Sequence, residues 1–314
     1  MHPALSVIVF TVSSGAGLGL IALCALFGVF EVGGGLTPAE TLLSGGIGLL
    51  LTTVGLVSSA GHLANPKNAW RAFSRFRTSW LSREAILAVL LFPFALSYFG
   101  VVGVWARVPE WLISGLGIAT ALLALTTIFC TGMIYACLRT IRQWNTSLVP
   151  TNYLLLGLAL GAMLLTAILA MTKGAALVAS ATLALIALVG AGVGKLIYYF
   201  WIGQPAGPTI NTATGFTRAA VRLFESGEST GSFLNKEFGF QAPSGLIAKL
   251  RLAVYGLGFV LPIVLSGLLL RQDGGVGIAL VAVLCAFAGV SVERWLFFAE
   301  ARHVVNLFYG SQRT

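Results

Sequence analysis

The chain reads as long apolar runs set between short polar breaks. Eight runs cover roughly residues 5–30, 42–63, 85–105, 111–135, 153–171, 175–201, 250–270 and 277–298. About 20 apolar residues in a helix cross a hydrocarbon core. Breakers or charges separate the runs, as in EVGGGLTPAE, NPKN, ARVPE, NTSLVPTN, TKG, GQPAGP and RQDGG. The ten-residue alternation of a membrane barrel is absent, and only a helix satisfies its own backbone within one segment in lipid. The pattern predicts an all-α integral membrane protein with eight transmembrane helices, a single polytopic domain over 1–314.

Glycine marks helix faces within this pattern. GAGLG at 15–19, GGIG at 45–48 and GAGVG at 190–194 carry small-residue spacings that let helices approach closely in lipid. GAGVGK superficially suggests a phosphate-binding loop. Its spacing is wrong, Leu196 follows the lysine where Ser or Thr is needed, and the segment lies within a run.

Composition agrees with the pattern. Charged residues make up 9% of the chain, against about 25% in soluble domains, so a water-soluble globule is excluded. The first run begins almost at Met1 without a basic leader or a clear cleavage site, and reads as a retained span. The longest polar stretch, Gly203 to Lys249, is too polar to span and suits a short amphipathic helix on the membrane or a partner. No loop is large enough for a soluble catalytic domain, so chemistry in water belongs to another chain. Nucleic acid is not an expected partner.

Charge sets the orientation. With the N-terminus inside, 16 of the 19 basic residues fall on the cytoplasmic side, and only Arg107, Lys173 and Arg271 on the other. The positive-inside rule then makes both termini cytoplasmic.

Redox ligands are scarce. The histidines are His2, His62 and His303, and only His62 sits at a run end near the membrane. Paired histidine ligation of a haem inside the bilayer is therefore not available. Cys24, Cys130, Cys137 and Cys285 form no CxxC pair and read as buried hydrophobes, so iron–sulfur ligation is not expected and the chain should be metal-free.

Polar chemistry concentrates in GHLANPKNAWRAFSRFRTSWLSREA, residues 61–85. The second run ends at His62–Leu63, stopped by Asn65–Pro66. Trp70, Phe73 and Phe76 recur at helical spacing with Arg71, Arg75 and Arg77 between them, an amphipathic segment for the interface plane. The third helix should start near Ser82, with Glu84 in its first turn. His62 and Glu84 then share one membrane face at the ends of sequential helices, which usually pack as neighbours. A titratable pair there can exchange protons with water while touching something dissolved in lipid, which is the task of a quinone site. Plainer roles fit the same residues. Glu84 could cap its helix or pair with Arg83 or Arg77, His62 could be a simple interfacial residue, the arginines could only set topology, and Trp70 and Trp80 could be interface-belt aromatics.

The stretch HLANPKNAWRAFSRFRTSWLSREA resembles the signature of the DMSO reductase anchor-subunit family, the DmsC-like proteins. The pattern is carried by His62, Leu63, Pro66, Ala69, Trp70, Arg75, Ser79, Leu81, Ser82 and Glu84. The eight-run layout and an acidic residue in the last run, Glu293, match as well. The resemblance implies a haem-free anchor in the bacterial cytoplasmic (inner) membrane that binds quinone, ubiquinone or menaquinone. It implies docking on the cytoplasmic side to an iron–sulfur subunit joined to a molybdopterin catalytic subunit, those partners alone holding clusters and molybdenum. It also implies quinone protonation by His62 and Glu84, with Trp70, Arg71, Arg75, Arg77 and Trp80 binding quinone or docking the iron–sulfur subunit. Within the family, AWRAFSRFRTSWLSRE and ERWLFFAEARHVVNLFYG are most similar to anchors of cytoplasmic sulfite-oxidising complexes, which implies electron flow from sulfite to quinone. A DMSO-type reductase would oxidise quinol at the same site.

Two other classes remain open from the residues. Lys195, Glu293 and Arg294 are costly in lipid and could mark a transporter's substrate path, although no pair of broken helices in matching halves is evident. Mutual pairing of Glu293 with Arg294 or Lys195, or a proton path, explains them more simply. A purely structural anchor would need neither His62 nor Glu84.

Overall fold

The computed structural model describes residues 2–61, 66–104, 108–204, 206–216, 218–225, 239–240, 242–271 and 275–314. Among them, eight helices are long and apolar enough to cross a membrane. These are α1 (Leu5–Val29), α2 (Pro38–Ala60), α3 (Trp80–Val104), α4 (Glu110–Ala136), α5 (Leu148–Thr172), α6 (Leu177–Gly203), α8 (Ser244–Leu270) and α9 (Val276–Ala299). Short helices α7 (Ile210–Thr214) and α10 (Val305–Phe308) lie outside the spans. The chain is thus an all-α, multi-pass membrane protein. An even number of spans returns the described C-terminus to the face from which α1 departs.

Several helices start earlier than the apolar runs, because a helix includes its polar first turn. α2 begins at Pro38, where Thr37 and Glu40 form a capping box. The Glu40 amide donates to Thr37 Oγ1 (3.3 Å) and the Thr37 amide to Glu40 Oε2 (2.8 Å). Thr172 Oγ1 donates to Glu40 Oε1 (2.6 Å), tying the start of α2 to the end of α5. α5 begins at Leu148, with Pro150 tolerated in its first turn. α3 begins at Trp80, two residues before Ser82, so Glu84 is the fifth residue of the helix and lies just beyond its first turn. The expected ends at His62–Leu63 and Trp105 lie outside the described residues, as do Arg107 and Lys236.

The bundle is built around two helices. In α1, 78% of the most apolar window is buried, and in α5 67%, against 28–39% in the other six spans. α1 packs against α2, α4, α5 and α9. Glycine makes the α1–α5 crossing possible. A Cβ on Gly19 would lie 2.0 Å from the Gly157 carbonyl oxygen, and one on Gly161 2.3 Å from the Gly19 carbonyl carbon. Backbone therefore rests on backbone, the small-residue contact that drives helix association in lipid.

α8 is interrupted by a π turn over Gly256–Val260. A proline ring clashes with the carbonyl four residues back, here Pro262 against Gly258, and the widened turn makes room. No matching break pairs with it among the described spans. The tail after α9 straps the face that carries most of the arginines. Ile141 bridges to His303 and Thr209 to Arg313, and the Val304 amide donates to the Thr140 carbonyl (3.0 Å).

Replacing Gly161 by valine forces the α1–α5 backbones apart and is expected to cost about 1–3 kcal/mol. Gly46→Ala, with nothing within 4 Å of the added Cβ, should not lower stability and can raise it by up to about 1 kcal/mol. Thermal unfolding of the detergent-solubilised protein checks both, and equal midpoints would refute the crossing as a tight contact.

Candidate functional site

Residues 66–75 wind as a 3-10 helix, in keeping with the helical spacing read from the sequence. A 3-10 helix repeats every three residues. Spacing of three puts Trp70, Phe73 and Phe76 in line, and all three are exposed. Arg71, Arg75 and Arg77 are exposed too, with the Arg71 guanidinium 5.8 Å from the Trp70 ring centroid. These side chains form an outward basic and aromatic strip. His62 lies outside the described residues.

α3 then enters the bundle. Arg83 turns back to donate to the carbonyls of Phe76 (3.0 Å) and Arg77 (2.8 Å), and its guanidinium lies 4.2 Å over the Trp80 ring. It thus holds the strip to the start of the helix. Glu84 faces inward instead, only 5% exposed, and accepts a hydrogen bond from Thr131 Oγ1 of α4. Its other oxygen has no donor among the described residues. At 1.5 Å per residue, Glu84 sits about 6 Å along the axis from the helix start. Trp80 meets Phe129 of α4 edge to face at 5.9 Å, and Phe129 is partly exposed toward lipid. The structure therefore brings Trp80 and Glu84 to one α3–α4 seam and leaves Trp70, Arg71, Arg75 and Arg77 on the outer strip.

A second polar group lies deeper on the same side. Lys195 of α6 pairs with Glu293 of α9, and Glu293 Oε2 also meets Arg294 Nε at 3.2 Å. The three are 1%, 0% and 2% exposed. Aromatic rings complete the cage. Arg294 lies 3.8 Å over Tyr153 of α5, and Lys195 4.1 Å over Tyr198. Tyr135, Trp144, Phe297 and Phe298 pack beside them with ring centroids 5.1–5.8 Å apart. Tyr135 stacks on Tyr153 and lies one turn of α4 from Thr131, which holds Glu84. Lys195, at the end of GAGVGK, is thus a buried ion-pair partner within a helix.

Above this group a cavity of about 640 Å3 opens between the ends of α6, α8 and α9 and the tail. Arg142, Arg251, Glu300, Arg302 and Arg313 are among its walls. Arg251 pairs with Glu300 and stands 4.6 Å over the Tyr199 ring. Burial pushes the Glu300 carboxyl above the usual carboxylate range, against the opposing pull of Arg251.

Sequence reasoning found Glu84, Lys195, Glu293 and Arg294 but missed Thr131, Tyr153 and Glu300. Thr131 lies in an apolar run where threonine normally bonds its own helix, as it also does here to the Thr127 carbonyl (3.0 Å). Tyr153 sits at a run boundary, where an interface aromatic is the ordinary expectation.

The chain's residues 1–311 match the family described as DMSO reductase anchor subunit (DmsC). The chain is also similar to a sulfite dehydrogenase subunit of Allochromatium vinosum. The two are 34% identical over 328 aligned positions that cover 99% of each chain.

The buried charges carry a stability consequence. Glu293→Gln strands two cations in apolar surroundings and is expected to cost about 3–5 kcal/mol, the penalty for breaking a buried pair from one side. Lys195→Met leaves the Glu293–Arg294 pair intact and should cost clearly less. Thermal unfolding in detergent separates the two, and equal losses would refute Glu293 as the shared counter-ion.

Proposed function

The chain belongs to the DMSO reductase anchor subunit (DmsC) family, and we propose from this that it is the quinone-binding membrane anchor of a molybdopterin oxidoreductase. In this reading it passes electrons between a partner iron–sulfur subunit and the quinone pool. The direction proposed is sulfite to quinone, after the sulfite dehydrogenase subunit to which the chain is similar over 99% of its length.

The observation that carries the reading is Glu84. A carboxyl group inside an apolar bundle is expensive and functional by default. Here it is held by one hydroxyl, within a turn or two of a helix end, beside an aromatic pair open toward lipid. These residues fit a quinone. The Trp80 and Phe129 rings offer a flat apolar flank, and Glu84 keeps an oxygen without a donor among the described residues. Quinone, when bound, supplies a two-electron, two-proton acceptor. Thr131 orients the Glu84 carboxyl, which holds and hands over a proton toward a carbonyl oxygen. His62, from the same signature, is assigned the proton at the other carbonyl. The apolar seam keeps bulk water away from Glu84.

The outer strip is assigned to docking. Trp70, Arg71, Arg75 and Arg77 face outward on the arginine-rich face, which suits an acidic surface of the iron–sulfur subunit. That face is proposed to be cytoplasmic in a bacterial inner membrane, by the excess of lysine and arginine there. Molybdopterin and iron–sulfur clusters are assigned to the partners and none to this chain.

His62→Ala and Glu84→Gln are each expected to lower quinone-linked turnover by about 100-fold or more, the scale of a lost general acid. Dye-linked oxidation by the partner subunits should persist, and the complex should still assemble. Binding of a fluorescent quinone-site inhibitor should fall in His62→Ala. Normal quinone-linked turnover in both variants would sink the assignment. Separately, reversing Arg71, Arg75 and Arg77 to glutamate should weaken partner attachment, more so at low salt where charge repulsion is least screened. Co-purification across a salt series measures this, and undiminished recovery at low salt would rule the strip out as the docking site.

A further inference from the structure

Glu84 is nearly sealed, so protons reaching it need a route. The buried group on α6 and α9 is left without a role in the scheme above. Stability alone does not account for it, because buried ion pairs generally contribute little against apolar replacements. Its members also form a line. Glu300 and Arg251 stand at the wall of the 640 Å3 cavity. Arg251, paired with Glu300, and Lys195 lie over the same Tyr199 ring at 4.6 and 5.2 Å, and Lys195 touches Glu293. Arg294, paired with Glu293, lies 3.8 Å over the buried Tyr153 ring. Tyr135, stacked on Tyr153 at 5.8 Å, lies one turn of α4 from Thr131, the hydroxyl that holds Glu84. A cavity of about 10 Å3 between Tyr153 and Arg294 has room on the order of one water.

We propose that Glu300, Lys195, Glu293 and Tyr153 form a proton conduit that joins the cavity to Glu84. The inference rests on the proposed role of Glu84. The carboxylate of Glu300 takes a proton from water in the cavity. Lys195 gives a proton to Glu293 and recovers one from Glu300. Glu293 passes its proton to the Tyr153 hydroxyl, which releases its own toward Glu84, so every member returns to its starting state. Arg294 stays protonated and fixes Glu293. The groups facing Glu293 are Lys195, Tyr198 and Tyr199 from α6, Tyr153 from α5 and Arg294 beside it, with Arg251 and Glu300 at the cavity end. Burial keeps the Glu300 carboxyl above the ordinary carboxylate range, which favours its taking up a proton from the cavity.

Glu293→Gln is expected to be too unstable to judge, so the test uses the cavity end and the inner hydroxyl. In the assembled membrane complex, Glu300→Gln and Tyr153→Phe should each lower turnover with short-chain ubiquinone by about tenfold or more. The solvent hydrogen isotope effect should rise, while quenching of a fluorescent quinone-site inhibitor stays at the wild-type level. Acetic acid in the medium should restore turnover in Glu300→Gln, and Glu300→Asp should retain it. Unchanged turnover and isotope effect in both variants would overturn the conduit. Lost turnover without an isotope effect and without rescue would overturn it too, leaving a structural role. Glu84→Gln run in parallel separates the two ideas. If it keeps turnover, the quinone role fails. If it loses turnover while the other two variants do not, only the conduit fails.

Discussion

The close approach of α1 to α5 is the contact on which the rest of the bundle depends. Lipid offers no hydrophobic driving force between helices, so packing distance must supply the attraction. Gly19, Gly157 and Gly161 let two backbones touch, and Gly17 does the same toward Gly48 of α2. With α1 buried on all sides, α2, α4, α5 and α9 all reach one central rod. α3 then reaches the bundle mainly through α4, and α6 through α5. Tyr135 on α4 and Tyr153 on α5 are brought into ring contact by this arrangement. The carboxyl on α3 and the charges on α6 and α9 meet through the two helices nearest the rod.

Charge inside the bundle follows one rule. Each buried ion is either paired, covered by an aromatic face, or held near a helix end. Glu293 serves two cations, and the excess positive charge is spread over the π-faces of Tyr153 and Tyr198. Glu40 solves the same problem at the opposite face, through the α2 capping box and Thr172. Glu84 has the poorest solution, a single hydroxyl. That shortfall is the physical reason to read Glu84 as a working residue and Glu40 as a structural one. Both are buried acids near helix starts, and the difference lies in how completely their oxygens are engaged.

The fold was legible because lipid imposes a length and a composition on every span. All eight runs became helices, and the errors fell at their ends. Thr37–Glu40 and Ser79–Trp80 are polar or aromatic, so an apolar count passes over the first turns that they begin. The site was legible in part. Glu84, Lys195, Glu293 and Arg294 stand out because charge is rare in a span. Thr131 and Tyr153 do not, because hydroxyls are common there and only the packing of α4 and α5 shows which ones face an acid. The amphipathic strip was read as helical, without its type. Spacing of three in Trp70, Phe73 and Phe76 is compatible with both 3-10 and α geometry. The backbone between Pro66 and the start of α3 chose the tighter form.

The arrangement of both polar sites on one side has a consequence for energy coupling. Glu84, the Lys195–Glu293–Arg294 group and the cavity all lie toward the arginine-rich ends of the helices. The opposite ends carry Glu40, Lys173 and Glu110, and the best defined polar cluster there, Glu40 with Thr37 and Thr172, has its carboxylate engaged on both oxygens. If quinone is reduced at Glu84, its protons and its electrons arrive from the same face, and no net charge crosses the bilayer. Such an anchor would let a reaction of modest driving force feed the quinone pool without working against the membrane potential, which opposes each elementary charge by about 2.3 kcal/mol per 100 mV. The one-sided placement of these buried polar groups is therefore what an anchor serving an electroneutral reaction requires. A charge-translocating protein would instead need a second polar route open to the far face, beginning near Glu40, whose carboxylate oxygens already accept from Thr37 and Thr172.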